Sequence, residues 1–132
     1  MNACPCGRLD VSGKPRPYVQ CCGLYLEGWA SAPAPDAQAL MRSRYSAYVL
    51  ERGAYLLATW HASKRPTRVT FDAGGKWLGL EVRDARATDA DHAEVEFIAR
   101  RRDASGRAIR LHERSRFVRE QGRWYYVDGD RK

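Results

Sequence analysis

The chain has 132 residues, of which 44% are hydrophobic, and this length is enough for one domain of about a hundred residues with an apolar core. Such a composition excludes a wholly disordered protein. No apolar run reaches the length of a membrane span or of a signal-peptide core, so we expect a cytoplasmic protein that does not enter a membrane. The formal net charge of +7 favours anionic partners.

All cysteines of the protein lie near the amino terminus, in two pairs. Cys4 and Cys6 flank Pro5, and fourteen residues separate Cys6 from the pair Cys21 and Cys22. Four thiolates suit a tetrahedral zinc ion. Two disulfides, or free redox-active thiols, are the alternatives, but a cytosolic chain keeps its thiols reduced. The sequence therefore predicts a zinc site whose ligands are Cys4, Cys6, Cys21 and Cys22.

This head of the chain resembles the short SEC-C zinc motif. The motif opens with Cys-Pro-Cys-Gly and continues to a Cys-Cys pair that an aromatic residue precedes, here Tyr18, three positions before Cys21. The gap between the pairs is longer than in the motif, but the cost of closing a loop grows only slowly with its length. The resemblance implies bound zinc and, as in other SEC-C tails, an adaptor role.

A stretch rich in proline and small residues follows the head and reads as a linker. The predicted organisation is a zinc-binding motif over residues 1–27, a linker over 28–35 and a domain over 36–132. Tyr25 and Trp29 flank this linker, and we expect them to pack the head onto the domain.

Two helices are predicted at the start of the domain. Asp36 is the expected N-cap of a helix from Ala37 to Arg52. A second, short helix is expected from Ala54 to about His61. Apolar residues at helical spacing define the buried face of the first helix. They are Leu40, Met41, Tyr45, Tyr48 and Val49.

From Trp77 onward the hydrophobic period changes to two, which predicts β-strands. In the first strand, Leu78, Leu80 and Val82 are expected to share one face. Turn residues at 89–91, 103–106 and 121–122 divide the segment into four strands. Helices followed by such a meander predict an α+β fold in which the helices pack on a curved antiparallel sheet.

Several runs of the sequence resemble the signatures of the YchJ family of bacterial proteins. They are LMRSRY at 40–45, TWH at 59–61, WLGL at 77–80, ERSRF at 113–117 and WYYVDG at 124–129. The resemblance implies the cone-shaped fold named after nuclear transport factor 2, joined to an N-terminal SEC-C zinc motif. It also implies a cavity between helices and sheet and a possible homodimer, but it implies no biochemical activity.

Glu113 is the unusual residue of the third strand, because it shares a face with Leu111 and Phe117. A carboxylate on a core face needs a partner. The candidate partners are Arg44 and Arg42 of the first helix, His61 of the second, and the hydroxyls of Ser115 and Tyr45. One interpretation is a buried pair of Glu113 with an arginine, which would dock the first helix on the sheet. The other is a small-molecule or catalytic pocket. The candidate pocket residues are Arg44, Tyr45, Trp60, His61, Glu113 and Ser115.

The opposite face of the third strand is basic. Residues 100–119 contain eight arginines against two carboxylates. Arg110, Arg114 and Arg116 are therefore a candidate surface for an anionic partner such as a protein, a ribosome or RNA, although a solvated strand face is the alternative.

The sequence favours a zinc-binding adaptor that docks through the head and this basic face. The alternative is a small-molecule binder or an enzyme that uses the cavity beneath Glu113.

Overall fold

A computed structural model describes residues 2–132 and shows helices packed on one four-stranded sheet. The elements are a 3-10 turn at Tyr18–Gln20, helices α1 (Gly23–Leu26), α2 (Ala37–Val49) and α3 (Gly53–Ala58), and strands β1 (Lys76–Asp89), β2 (His92–Arg102), β3 (Ala108–Glu120) and β4 (Arg123–Arg131). The strands are antiparallel in the order β1-β2-β3-β4. The predicted α+β architecture is confirmed. No helix within residues 2–132 is long and apolar enough to cross a membrane.

Helix α2 begins at the predicted residue and ends earlier than predicted. Asp36 is the N-cap, and its carboxylate accepts a hydrogen bond from the backbone N–H of Ala39 at 2.7 Å. This bond satisfies one of the free donors of the first turn. The predicted end at Arg52 is wrong, because the last helical residue is Val49.

A left-handed residue causes this early end. Glu51 has φ 57°. The N–H of Arg52 then bonds to the carbonyl of Ala47 at 2.8 Å, and the N–H of Glu51 bonds to that of Tyr48 at 3.3 Å. These two bonds form a Schellman motif, in which glycine usually occupies the left-handed position. Since a glutamate occupies it here, the sequence lacks the usual signal.

Helix α3 ends at Ala58 rather than at about His61, because the next residues pair with β4. Trp60 and Tyr126 form a parallel bridge. The N–H of His61 donates to the carbonyl of Tyr126 at 2.7 Å, and the N–H of Tyr126 donates to that of Thr59 at 2.9 Å. These bonds fix the end of α3 to the free edge of the sheet.

Irregular pairing accompanies the curvature of the sheet and corrects one prediction about β1. Register shifts occur at three places in β1, the first between Trp77 and Gly79. Such bulges bend a strand and change which side chains face inward. As a result, Trp77 and Leu80 pack against the core, whereas Leu78 is 48% exposed. The expectation that Leu78 shares the inward face of Leu80 and Val82 is wrong.

The head belongs to the same core as the domain. The four cysteines cluster with Leu40, Met41 and Tyr45 of α2, and with inward residues of the sheet. Tyr25 and Trp29 pack beside Tyr55, which confirms their expected position between head and domain. The boundaries predicted at 27/28 and 35/36 stay a prediction.

Candidate functional site

The four cysteines form a closed cluster. All are buried and free of disulfides, and their sulfur atoms lie within 4.8 Å of one another. A tetrahedral zinc ion with Zn–S bonds of about 2.3 Å requires sulfur atoms about 3.8 Å apart. The sulfurs of Cys6 and Cys21 are 3.7 Å apart. The donor set and its spacing therefore fit a structural zinc ion with four protein ligands.

A hairpin brings the two cysteine pairs together. Gly7, with φ 75°, donates its N–H to the carbonyl of Cys4 and turns the chain after the first pair. The chain then returns through a bridge between Leu9 and Pro15, so the long gap between the pairs is ordered. After the second pair, a Cβ at Gly23 would lie 2.7 Å from the carbonyl oxygen of Tyr18, so only glycine fits there.

The thiols of the cluster differ in pKa, because they are buried and hydrogen-bonded to one another. Hydrogen bonds from the thiols of Cys22 and Cys6 lower the pKa of Cys4, and the bond to Cys4 raises the pKa of Cys22. Burial raises the pKa of Cys21 to about 12. A metal ion must displace these protons, so metal affinity falls as the pH decreases.

Arginines surround the outer side of the cluster. Arg42 donates to the carbonyl of Cys6 at 3.2 Å. Arg42, Arg8 and Arg16 also line a small crevice beside Cys21. Four thiolates around a divalent cation carry a net negative charge, which these guanidinium groups offset.

A second site lies between α2 and the concave face of the sheet. It is a cavity of about 640 Å³. Eight aromatic residues form much of its wall: Tyr45, Tyr48, Trp60, Phe71, Trp77, Phe97, Phe117 and Tyr126. Arg44 and Glu113 are among its polar lining residues. An aromatic wall with a few fixed polar groups is typical of a small-molecule site.

The cavity brings together all the predicted pocket residues except one. Arg44, Tyr45, Trp60, Glu113 and Ser115 line it. His61 does not, because the bridge between the α3 end and β4 directs it to the outside. There its Nδ1 lies 2.7 Å from the hydroxyl of Ser63, and its Nε2 lies 2.9 Å from a carboxylate oxygen of Glu120.

Hydroxyl groups, not a guanidinium, satisfy Glu113. The hydroxyls of Ser115 and Tyr126 both donate to its Oε2, the latter at 3.3 Å. Within residues 2–132, Glu113 forms no ion pair with Arg44 or Arg42, so the interpretation as a buried ion pair is wrong. A Cβ at Gly129 would lie 2.5 Å from Oε2, so a larger residue at this position would force the side chain of Glu113 to shift.

Arg44 is the buried cation of the cavity. It is 6% exposed, and its Nη1 donates to the carbonyl of Leu56 at 2.8 Å and to the hydroxyl of Thr59 at 2.7 Å. Its Cζ lies 4.9 Å from the ring centre of Trp60 and 4.7 Å from that of Tyr126. Burial lowers the pKa of Arg44 to about 10, so the side chain stays charged at neutral pH.

Sequence reasoning missed Tyr126, which lines the cavity, and Gly129, which lies against the side chain of Glu113. Tyr126 stacks edge-on against Trp60 and Phe117, and it carries the hydroxyl that reaches Glu113. The sequence did offer a signal for Tyr126, since strand alternation places it on the same face of β4 as Trp124. No pattern in the sequence identifies Gly129, because its need for a small residue arises from the side chain of another strand.

Carboxylates from neighbouring strands compensate much of the basic face. Arg114 pairs with Asp84, Glu94 and Glu96, and its side chain is only 19% exposed. Arg116 pairs with two carboxylates of β4. Arg110 forms no ion pair in the part of the chain that the structure describes. Because carboxylates pair with several of these arginines, the net positive charge of this surface is smaller than the number of arginines in β3 indicates.

A curved sheet with a cavity beneath α2, joined to a buried four-cysteine cluster, defines a SEC-C-type protein with a domain like that of nuclear transport factor 2. The family model described as "YchJ, middle NTF2-like domain" matches residues 36–129. The chain belongs to this family, whose curated members are named UPF0225 proteins. The resemblance noted from the sequence is confirmed.

The similarity extends over the head as well as the domain. A UPF0225 protein of Polaromonas sp. (strain JS666) is 67% identical over 127 residues, which cover 96% of this chain and 91% of that protein. A SEC-C motif containing protein from Rhodopseudomonas palustris has a solution structure that matches with a TM-score of 0.78 and 34% identity, over 98% of both chains. The crystal structure of another, from Psychrobacter arcticus, matches with a TM-score of 0.79 and 30% identity, over 97% of this chain and 81% of that one.

Proposed function

We propose that this protein binds a small organic molecule in the cavity beneath α2, and that a zinc ion in the head stabilises the fold around it. The observation that supports this most directly is the cavity itself, with Arg44 and Glu113 both lining it and neither paired with an opposite charge among residues 2–132. Its volume of about 640 Å³ falls within the range of about 300–1,000 Å³ that is usual for ligand sites.

The four-cysteine cluster packs on a different side of the helix that covers the cavity. The sulfur of Cys4 lies 3.6 Å from the hydroxyl of Ser46 on α2, and Arg42 of the same helix contacts the head. Arg44 and Tyr48 of α2 line the cavity. Metal binding therefore supports the position of the cavity wall, and four protein ligands leave no open coordination position for catalysis.

A cavity-filling substitution tests the proposal. Phenylpropionate, phenylpropionamide and phenylpropylamine serve as an anionic, a neutral and a cationic aromatic probe, with binding followed by amide chemical shifts. We expect at least one probe to shift resonances of cavity residues. Leu111→Trp places a larger side chain in the cavity, so it should raise the dissociation constant of the bound probe with little loss of thermal stability.

The matched control is Val95→Phe, in a fully buried position of the same core that does not line the cavity. Overpacking there should cost about 1–3 kcal/mol. Probe binding should survive as long as the variant is folded. If no probe binds the wild type, or if Leu111→Trp leaves the probe affinity unchanged, the proposal is wrong.

A second candidate function, docking on a macromolecular partner, is favoured by the surface of the head. Large hydrophobic side chains that are exposed lie mainly there: Leu9, Val11, Val19 and Leu24 are 48–107% exposed. Leu24 lies beside the arginines of the crevice near Cys21. Exposed apolar groups next to cations suit an acidic protein segment better than RNA.

Salt dependence tests docking. Binding to an acidic partner recovered from the cytoplasm should weaken steeply between low and high ionic strength, and Leu24→Asp should abolish it. Leu78→Asp is the control, since Leu78 is equally exposed on the sheet and far from the head in sequence. Binding that is insensitive to salt, or equally weakened by both substitutions, would exclude this surface, and loss on ribonuclease treatment would indicate RNA instead.

A further inference from the structure

The wall of the cavity contains a buried cation without a counter-ion. Arg44 is 6% exposed and charged at neutral pH, yet no carboxylate of residues 2–132 forms an ion pair with it. A buried charge is costly to leave uncompensated. Other arginines of the lining differ in this respect, since Arg101 pairs with Asp72 at 3.3 Å and Arg131 is exposed.

One edge of this guanidinium is fixed and the other is free. Nη1 makes both hydrogen bonds of the group, to Leu56 and Thr59. Nε and Nη2 donate to no atom that the structure describes. Both nitrogens are also accessible to solvent. Within residues 2–132, Nε1 of Trp60 is the one side-chain nitrogen or oxygen that is buried and lacks a hydrogen-bond partner, so the unbonded Nε and Nη2 of Arg44 are not buried atoms. Nε and Nη2 are therefore open to the cavity that Arg44 lines.

The free edge has the geometry that carboxylates prefer. Two parallel N–H groups on one side of a guanidinium can donate to both oxygens of a carboxylate. The rings of Trp60 and Tyr126 both contact the group, and Nη1 anchors it to α3. A donor pair held in place before binding loses little conformational entropy when a ligand arrives.

We infer that Arg44 binds the carboxylate of a small organic acid whose apolar body packs on the aromatic wall. This inference rests on the proposed function and names the ligand class of the same cavity. Glu113 is a second charged group of the same cavity, since it accepts a hydrogen bond from the hydroxyl of Tyr126, whose ring contacts Arg44. Its negative charge repels a second anionic group, so a monocarboxylate fits better than a dicarboxylate.

Two of the probes form a matched pair that isolates the charge. Phenylpropionate and phenylpropionamide have the same shape, and only the first is an anion. Titrations of the full-length, metal-loaded protein should give a dissociation constant at least ten-fold lower for the acid than for the amide. Arg44→Lys keeps the charge but removes the paired donors, so it should reduce this ratio at least five-fold.

Two further variants control for folding and for general electrostatics. Arg131→Gln removes an exposed cation of the lining and should leave the ratio unchanged. Glu113→Gln removes the nearby negative charge and should raise the ratio at least three-fold, a result that does not depend on the folding of the Arg44 variant. The inference is overturned if acid and amide bind equally, if the amine binds best, or if Arg131 carries the preference. Each of these results would leave the proposed function intact, because the cavity would still bind a ligand. If none of the probes binds, the proposed function is contradicted as well.

Discussion

At the scale of single residues, the polar groups of the cavity show how one fold keeps two charges apart. Nη1 of Arg44 donates to a carbonyl and a hydroxyl, and its guanidinium contacts two aromatic rings, whereas Glu113 accepts from two hydroxyls. A structural ion pair would place them in contact. Their separation leaves both available to a ligand.

This arrangement predicts a small effect of Glu113→Gln on stability. A glutamine side-chain oxygen still accepts from the hydroxyls of Ser115 and Tyr126, and no buried cation loses its partner. We expect the free energy of unfolding to change by less than about 1 kcal/mol in urea denaturation. Glu113→Leu is the comparison, since it leaves both hydroxyls unpaired and should cost about 1–3 kcal/mol. A loss of about 3 kcal/mol or more in the glutamine variant would restore the ion-pair interpretation.

At the scale of elements, local irregularities determine which side chains reach the cavity. The bulge near Gly79 directs Trp77 inward and Leu78 outward, and the pairing of Trp60 with Tyr126 separates Trp60 from His61. The end of α2 is the third irregularity. Glu51 lines the cavity and adopts a left-handed conformation that non-glycine residues rarely adopt.

Glu51→Gly should therefore stabilise the protein. Glycine adopts the left-handed region without the steric cost of a side chain, which outweighs its larger entropy loss on folding. We expect a gain of about 0.5 kcal/mol in the free energy of unfolding, measured by chemical denaturation. Glu51→Ala removes the carboxylate but keeps the steric cost, so it serves as the control. If glycine is no more stabilising than alanine, the backbone at this position is not strained.

At the scale of the whole molecule, head and domain are coupled through α2. The cysteine cluster packs on one side of this helix, and the cavity lies on another. The ion pair of Glu27 with Arg52, at 3.1 Å, and the bonds from Arg123 to the carbonyls of Trp29 and Ala30 add further connections. We therefore expect changes in the head to affect the stability of the domain.

Removal of the metal should destabilise the entire protein and not the head alone. Purified protein should contain one zinc ion per chain by elemental analysis. Chelation should lower Tm by at least about 10 °C, because structural zinc contributes directly to folding free energy. The same chelator should have no further effect on Cys4→Ser, which already lacks a ligand. If elemental analysis finds no bound metal and chelation leaves Tm unchanged, the assignment of zinc is contradicted.

The sequence alone determined the features that depend on local chemistry. Four thiols in the head indicated a metal site, Asp36 indicated the start of α2, and alternation in β3 separated Glu113 from the arginines. These signals are local because ligand chemistry, capping and strand periodicity act over a few residues. Homodimer formation and the identity of a partner stay predictions.

Only the tertiary structure decided which groups meet across elements. It gave Glu113 the hydroxyl of Tyr126 instead of Arg44, placed His61 outside the cavity, and supplied Arg114 with carboxylates from two other strands. The physical reason is that these contacts depend on bulges and strand register, in which a shift of one residue reverses the face of a side chain. The sequence thus determined the four-cysteine donor set and the sheet, whereas the three-dimensional packing decided that Arg44 and Glu113 both line the cavity without forming an ion pair.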